Sequence, residues 1–354
     1  MQTFIGPPGI ARGEHEMTTD DVVEALRTLH PRSAHHPDLR TAAQAVAGQR
    51  RRRVHPLRSE CATKPYPAEE RYRDRRALME QAGRRALEGA DMAAQDIAGL
   101  VVVQDPSPTE TDQHHLDRDL VLTLGLPATT ARVPLTGMAG CGVVHALAVA
   151  ADMAGVGRPA LVVAGEVHQP LHTVDTGAVS ATSLVRQLMA GDGAAAVVVT
   201  REPFAVPGLA IEDTWQYARH AAPPRGEGSA HRVADHPGLS ALPWLRPGRT
   251  LPEFALVHPG GPDPLRSLSR TAPLPRRALE TSYTCMATEG DLGGASVLQM
   301  LARLHRNPPA VNTPGLLLGL APGDLAAACR VRWTRRAPAR GPEPYGTAGR
   351  PAAG

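Results

Sequence analysis

The feature that most constrains this chain is a strand–turn–helix–strand unit that occurs once in each half. In the first half an apolar run at 99–104 leads to a glycine-rich turn and an apolar helix over 140–154, then to a run at 160–165 and a last one after Gly191-Asp192-Gly193. In the second half the run at 254–258 leads to a glycine-rich turn and an apolar helix over 290–305, then to runs at 315–320 and after Pro322-Gly323. Such self-similarity predicts two copies of one βα unit sharing a core. It also puts Cys141 and Asp291 in corresponding places, each at the start of its half's apolar helix.

The runs at 96–105, 158–166, 193–200, 253–261, 314–323 and 325–333 are short and continuously apolar, as strands covered on both faces are. Helical stretches alternate with them. One spans 67–90, from Pro67 to near Gly89, and another spans 19–29 and opens on acidic residues. The class is therefore α/β. Residues 1–45 read as a polar N-terminal extension, and 46–201 and 253–333 as the two halves. Residues 202–252 read as a shortened linker of loop with one short helix, and 334–354 as a disordered tail.

Cys61, Cys141, Cys285 and Cys329 lie far apart, with no CxxC pair and no His/Cys spacing suited to zinc, so a reduced, cytoplasmic protein is expected. Lys64 is the only lysine and the net charge is +3; basic charge carried almost wholly by arginine is not the footprint of a nucleic-acid binder. No apolar run approaches the roughly 18 residues that span a bilayer, and the first residues lack the pattern of an export signal.

Three residues stand where chemistry could occur. Cys141 lies in GMAGCGVVHALAVAADM, at the amino end of an apolar helix whose field favours the nucleophilic thiolate; an inert buried cysteine is the open alternative. His258, in ALVHPGGPDPL, ends a strand at the mouth of the sheet, where it could pair with the thiolate, donate to a thioester carbonyl, or be structural. Asp291, in EGDLGG, could face the same cavity or simply cap a helix. The run Arg50-Arg51-Arg52-Arg53 could bind phosphates or be a solvated surface, and His114-His115 suits a loop better than a metal.

Taken together, TGMAGCGVVHALAVAADM, ALVVAGE, AGDGAAAVVV, VHPGGPDPL, EGDLGGASVLQML and GLAPG resemble, in order, the landmarks of type III polyketide synthases, the chalcone-synthase-like branch of the thiolase superfamily. The likeness covers about residues 45–333. It implies a homodimer of five-layered αβαβα subunits, with no metal and no permanently bound cofactor. Coenzyme A thioesters, or thioesters on an acyl carrier protein, would acylate Cys141. His258 and an asparagine would then hold a malonyl thioester carbonyl during decarboxylation and condensation.

The family's Gly-Asn-Met-Ser-Ser reads here as Gly290-Asp291-Leu292-Gly293-Gly294. An ionised aspartate accepts hydrogen bonds and donates none, so a Cys141-His258-Asp291 set would also suit transfer of the acyl group to an oxygen or nitrogen acceptor. A non-catalytic partner of a true synthase is a third reading. His172, Val144, Gly260 and Gly293 are expected on the substrate side, with Arg50 and Arg53 of the arginine run as candidates for the coenzyme A phosphates. His172 stands where a phenylalanine is expected, and with aromatics at 3% a remodelled cavity and a single transfer are expected.

Overall fold

The computed structural model describes residues 2–29, 38–56, 66–104, 115–168, 181–218, 239, 242–246, 248–258, 260–321 and 325–335. In chain order its main elements are β1 (Thr3–Ile5), β2 (Gly9–Arg12), β3 (His15–Thr18), α1 (Thr19–Leu29), α2 (Leu39–Ala45), β4 (Arg50–Arg53), α3 (Ala68–Gly89) and β5 (Gly99–Val103). Then come α4 (Leu116–Leu124), β6 (Ala131–Leu135), α5 (Gly142–Met153), β7 (Ala160–Glu166), α6 (Ala181–Met189), β8 (Gly193–Thr200) and β9 (Leu209–Ala218). The second half supplies β10 (Phe254–Val257), α7 (Pro262–Thr271), α8 (Glu280–Glu289), α9 (Ser296–Arg306), β11 (Pro314–Ala321) and β12 (Leu325–Trp333).

The repeat is visible in the strand pairing. β5 runs parallel to β7, which pairs antiparallel with β8; β10 runs parallel to β11, which pairs antiparallel with β12. All belong to one hydrogen-bonded sheet of order β10-β11-β12-β9-β1-β8-β7-β5-β6, with β2 added on β8, and β3 and β4 form a separate hairpin.

Side chains alternate across a strand, so a strand covered on both faces divides its residues between two cores. Val101, Val162, Val197, Leu256 and Leu317 face a core that also contains Val143, Val144, Leu147, Leu298 and Leu301 of α5 and α9. Leu100, Leu161 and Val198 face another with Met79 and Ala82 of α3 and Leu120 of α4. Ala255, Val257 and Leu318 face a third with Leu26 of α1, Leu188 of α6 and Leu268 of α7. The two repeat helices therefore contribute to one shared core, and α9 keeps Arg303, His305 and Arg306 for its outer end.

Two expectations are corrected. The supposed polar extension supplies β1 and β2, and β1 lies between β8 and β9 with Ile5 fully buried. A three-residue strand followed by Gly6-Pro7-Pro8 carries too little alternation to be read as one. The linker, expected to be loop, contains β9, which pairs with β12 and β1 and so joins the halves. Its first three residues are buried and the rest are partly or wholly exposed, so its composition is polar. Residues 336–354 of the expected disordered tail lie outside the described residues.

Among the described residues no helix is long and apolar enough to cross a membrane, and no cluster of His, Cys, Asp and Glu is placed to hold a metal ion.

Candidate active site

Cys141 is the last residue of a 3-10 turn, Ala139–Cys141, and the residue from which α5 begins. Its Sγ donates to the carbonyl of Met138 at 2.9 Å. The turn is held tightly: a Cβ on Gly319 of β11 would lie 2.4 Å from the Cα of Cys141, and one on Gly140 would lie 2.2 Å from Nδ1 of His258. Strand β11 thus runs against the thiol's backbone, and the His258 imidazole packs on the residue that precedes the thiol. The turn begins with Ala139 in the left-handed region at φ 42°, a strained conformation for a residue with a side chain.

His258 follows β10, and its own N–H donates to the carbonyl of Leu318 on β11 at 3.0 Å, which fixes the ring beside the sheet. The chain then turns through Gly260 and Gly261 at φ 49° and 122°, values that only glycine adopts freely. The ring's Nε2 lies 3.2 Å from Oδ1 of Asp291. That oxygen also accepts from the backbone N–H of Gly293 at 2.9 Å and the hydroxyl of Ser296 at 3.2 Å. Burial opposes ionisation of Asp291, but the charge and hydrogen bond of His258, with the Gly293 N–H, hold its carboxyl well below the usual carboxylate range. Burial likewise depresses His258, and the Asp291 charge overcomes it, leaving the imidazole raised. Each group thus favours the charged form of the other.

The structure changes the supposed correspondence of Cys141 and Asp291. The second-half turn is Gly293–Ala295, followed by α9, so the residue matching Cys141 by backbone is Ala295, and Asp291 enters two residues before its turn. Asp291 sits in a short parallel bridge with Ala190.

Of the other expected residues, Gly293 lies in the site, because a Cβ there would fall 2.1 Å from the Glu166 carboxylate. Val144 faces the central core, with its carbonyl near Sγ of Cys329, and lies away from the polar cluster. Arg50 is largely exposed and pairs with Glu16 on the β3–β4 hairpin. Arg53 is paired inside the protein with Asp192 at 3.1 Å. His172 lies outside the described residues.

Sequence reading missed Glu166 and His168, at and just past the end of β7, and the use made of Asp192. Glu166 accepts from the N–H of Gly294 at 3.2 Å, and His168 lies 3.3 Å from Glu166 and 3.4 Å from Asp192. Their signal was available: a charged residue closing a parallel strand stands where α/β proteins place their sites. The side chains of His258, Asp291, Glu166 and His168 keep 10, 18, 19 and 27% of their surface accessible.

No family model matches this chain. It is 30% identical to 1,3,6,8-tetrahydroxynaphthalene synthase of Streptomyces peucetius subsp. caesius, over 73% of each chain. Its structure is similar to that of germicidin synthase from Streptomyces coelicolor, a type III polyketide synthase, with a TM-score of 0.76 and 25% identity over 94% of this chain and all of that one. The same fold appears in 1,3,6,8-tetrahydroxynaphthalene synthase from Streptomyces coelicolor (TM-score 0.76, 24% identity, 94% of this chain and 99% of that one). It appears again in the C-terminal type III polyketide synthase domain of Steely1 from Dictyostelium (0.77, 16%, 94% and 100%). The fold is thus the thiolase-like α/β fold of these enzymes, and homology supports a cysteine-based condensing activity of the ketosynthase kind. With this relative, this fold and this order of motifs, the chain belongs to the type III polyketide synthase family.

Proposed function

We propose that this protein is a ketosynthase that takes an acyl group from a coenzyme A thioester onto Cys141 and condenses it with malonyl-CoA. In the first step the sulfur of Cys141 attacks the thioester carbonyl carbon, and the bond from that carbon to the coenzyme A sulfur breaks. His258, entering as imidazolium, gives its proton to the departing sulfur, and the proton that Cys141 loses on attack returns to the imidazole. In the second, the bond between the malonyl carboxylate and its α-carbon breaks and carbon dioxide leaves. The electron pair passes through the enolate to the acyl carbonyl carbon, and Cys141 departs as thiolate.

The observation that carries this reading is the packing of the His258 imidazole on Gly140, directly beside Cys141. The Asp291 carboxylate keeps that ring protonated, so a developing enolate oxygen meets a full cation where the family uses two neutral or cationic donors. A five-layered αβαβα arrangement is part of the reading and draws support from the three cores. So is a homodimer, for which Leu122 on α4, 72% exposed, is one apolar contact to test. Of Arg50 and Arg53, Arg50 is the one at the surface, where a coenzyme A phosphate would have to compete with Glu16 for it.

One observation favours a second reading. Asp291 is ionised and bonded to His258, the arrangement that orients a histidine as a base, so the acyl group could pass to an oxygen or nitrogen acceptor. Malonyl-CoA labelled in its free carboxylate separates the two. Release of labelled carbon dioxide dependent on an acyl-CoA starter is expected. An acyl adduct on Cys141 with no release for any starter would replace condensation by acyl transfer.

A further inference from the structure

Beyond the Cys141–His258–Asp291 set lies a second buried run of charges that no expected function absorbs. Asp192 sits just before β8 and is 3% exposed. Its Oδ2 accepts from Nε of Arg53 at 3.1 Å and from the N–H of Val54 at 3.0 Å, and its Oδ1 accepts from the N–H of His168 at 2.9 Å. Arg53 also donates to the carbonyl of His168 at 3.0 Å, so the histidine's backbone is gripped from both sides. Its ring then spans from Asp192, 3.4 Å from Nδ1, to Glu166, 3.3 Å from Nε2. Glu166 accepts from the N–H of Gly294 and fills the space a side chain at Gly293 would need. The Gly293 N–H in turn donates to Asp291, the counter-ion of His258.

We infer that His168 is a positioning residue for the Cys141 centre: lodged between Asp192 and Glu166, it holds the Glu166 carboxylate against the Gly293–Gly294 turn and so fixes Asp291 opposite His258. The inference rests on the proposed pairing of Cys141 with His258. Charge order supports it. Arg53, Asp192, His168, Glu166, His258 and Asp291 form an alternating sequence of three cations and three anions, drawn from β4, the start of β8, the end of β7, the end of β10 and the approach to α9. A buried carboxylate left without its cation is strongly destabilising, and since Arg53 already serves Asp192, it is Glu166 that relies on His168. Burial alone would depress the imidazole of His168, but the Asp192 and Glu166 carboxylates beside it raise it to about 10. Arg186 and Tyr66 complete the surroundings: Arg186 opposes protonation of His258, and the Tyr66 hydroxyl lies within the field of Asp192.

The test uses the full chain labelled with nitrogen-15 histidine, whose ring signals report protonation from pH 5 to 10. In the wild type His168 should stay an imidazolium above pH 8. In His168→Gln, Glu166 is no longer neutralised, and the His258 midpoint should rise by about one pH unit. Acyl loading of Cys141 should slow about ten-fold. His168→Lys, which keeps a cation, should restore part of both. Should His168→Gln fail to fold, Glu166→Gln should lower the His258 midpoint instead.

A folded His168→Gln with the wild-type His258 midpoint and loading rate would overturn the inference, as would a His168 that is neutral at pH 7. A wild type that never loads an acyl group, yet shows the His258 shift on substitution, would sink the proposed function and leave the role of His168 standing.

Discussion

The two repeat turns use one backbone device to opposite chemical ends. Each is a 3-10 turn running into a helix of the shared core: Ala139–Cys141 before α5, and Gly293–Ala295 before α9. Each is also held by the other half. Gly319 of β11 presses its backbone against the Cys141 turn, and Glu166 of β7 sets its carboxylate under the Gly293 turn. The first turn thus presents a thiol braced by main chain, and the second presents a carboxylate braced by hydrogen bonds and charge. Duplication supplied the scaffold, and the side chains divided the labour.

The sharpest division is chemical. Cys141→Ala should abolish the acyl adduct seen by intact-mass measurement, a loss of more than about a thousand-fold. Asp291→Asn should leave the fold intact, because an amide oxygen still accepts from Gly293 and Ser296. It should also raise malonyl-dependent carbon dioxide release several-fold, by replacing a charge that opposes the enolate with a donor. A drop in release on Asp291→Asn would show that the counter-ion of His258 matters more than a second donor.

Gly319→Ala and Gly294→Ala compare the braces themselves. The first puts a methyl 2.4 Å from the Cα of Cys141 and 2.7 Å from the Gly140 carbonyl, where nothing can swing aside. We expect a loss of about 2–3 kcal/mol in urea unfolding and impaired loading. The second meets a Val103 methyl at 3.2 Å and should cost under about 1 kcal/mol. Equal costs would mean that the two turns are held alike.

How much of this was legible in the sequence follows from what each residue packs against. The runs that became β5, β7, β8 and β11 were readable because both faces are covered and no charged residue interrupts their centres, and β12 was readable from its apolar start before Arg330. β9 was not, since LAIEDTWQYA is buried only at its start and takes its place by pairing with β12. Cys141, His258 and Asp291 could be singled out because each follows or precedes glycines at the end of an element. Glu166 and His168 carried only the weaker signal of charge at a strand end, and their roles come from Asp192, Arg53 and Gly294, which only the fold brings near. Arg53, hidden in a run of four arginines, reads as surface and is an internal ion-pair partner.

Each helix behind the turns carries a histidine whose pKa burial lowers, His145 in α5 and His305 in α9. α9 carries His305 in its last turn, in an edge-on contact with Trp333 at 4.9 Å, and burial lowers its pKa to about 4. Because the folded value lies below the unfolded one, the unfolded chain binds the extra proton between about pH 6.5 and 4, and stability falls as pH drops through that window. His305→Phe should therefore flatten the decline in Tm between pH 7 and 4.5 relative to the wild type. Parallel declines in the two proteins would mean that His305 is protonated in the folded state.

The smallest effect isolates a strained residue in the first of the two repeat turns. The first residue of each turn is left-handed: Gly293 at φ 54° in the second half, where glycine is at ease, and Ala139 at φ 42° in the first, where a methyl is not. An L-residue in that conformation costs about 1–2 kcal/mol, while glycine adds about 0.4–1 kcal/mol of unfolded-state freedom that folding must remove. The balance for Ala139→Gly is a gain of roughly 0.5 kcal/mol, a rise of a degree or two in Tm. Acyl loading should be unchanged, because Cys141 keeps its bond to Met138 and its contact with Gly319. A loss of stability would show that the Ala139 methyl, which packs against the central core, contributes more there than its strain removes. Unchanged stability with slower loading would instead assign the strain to holding the thiol in place for attack.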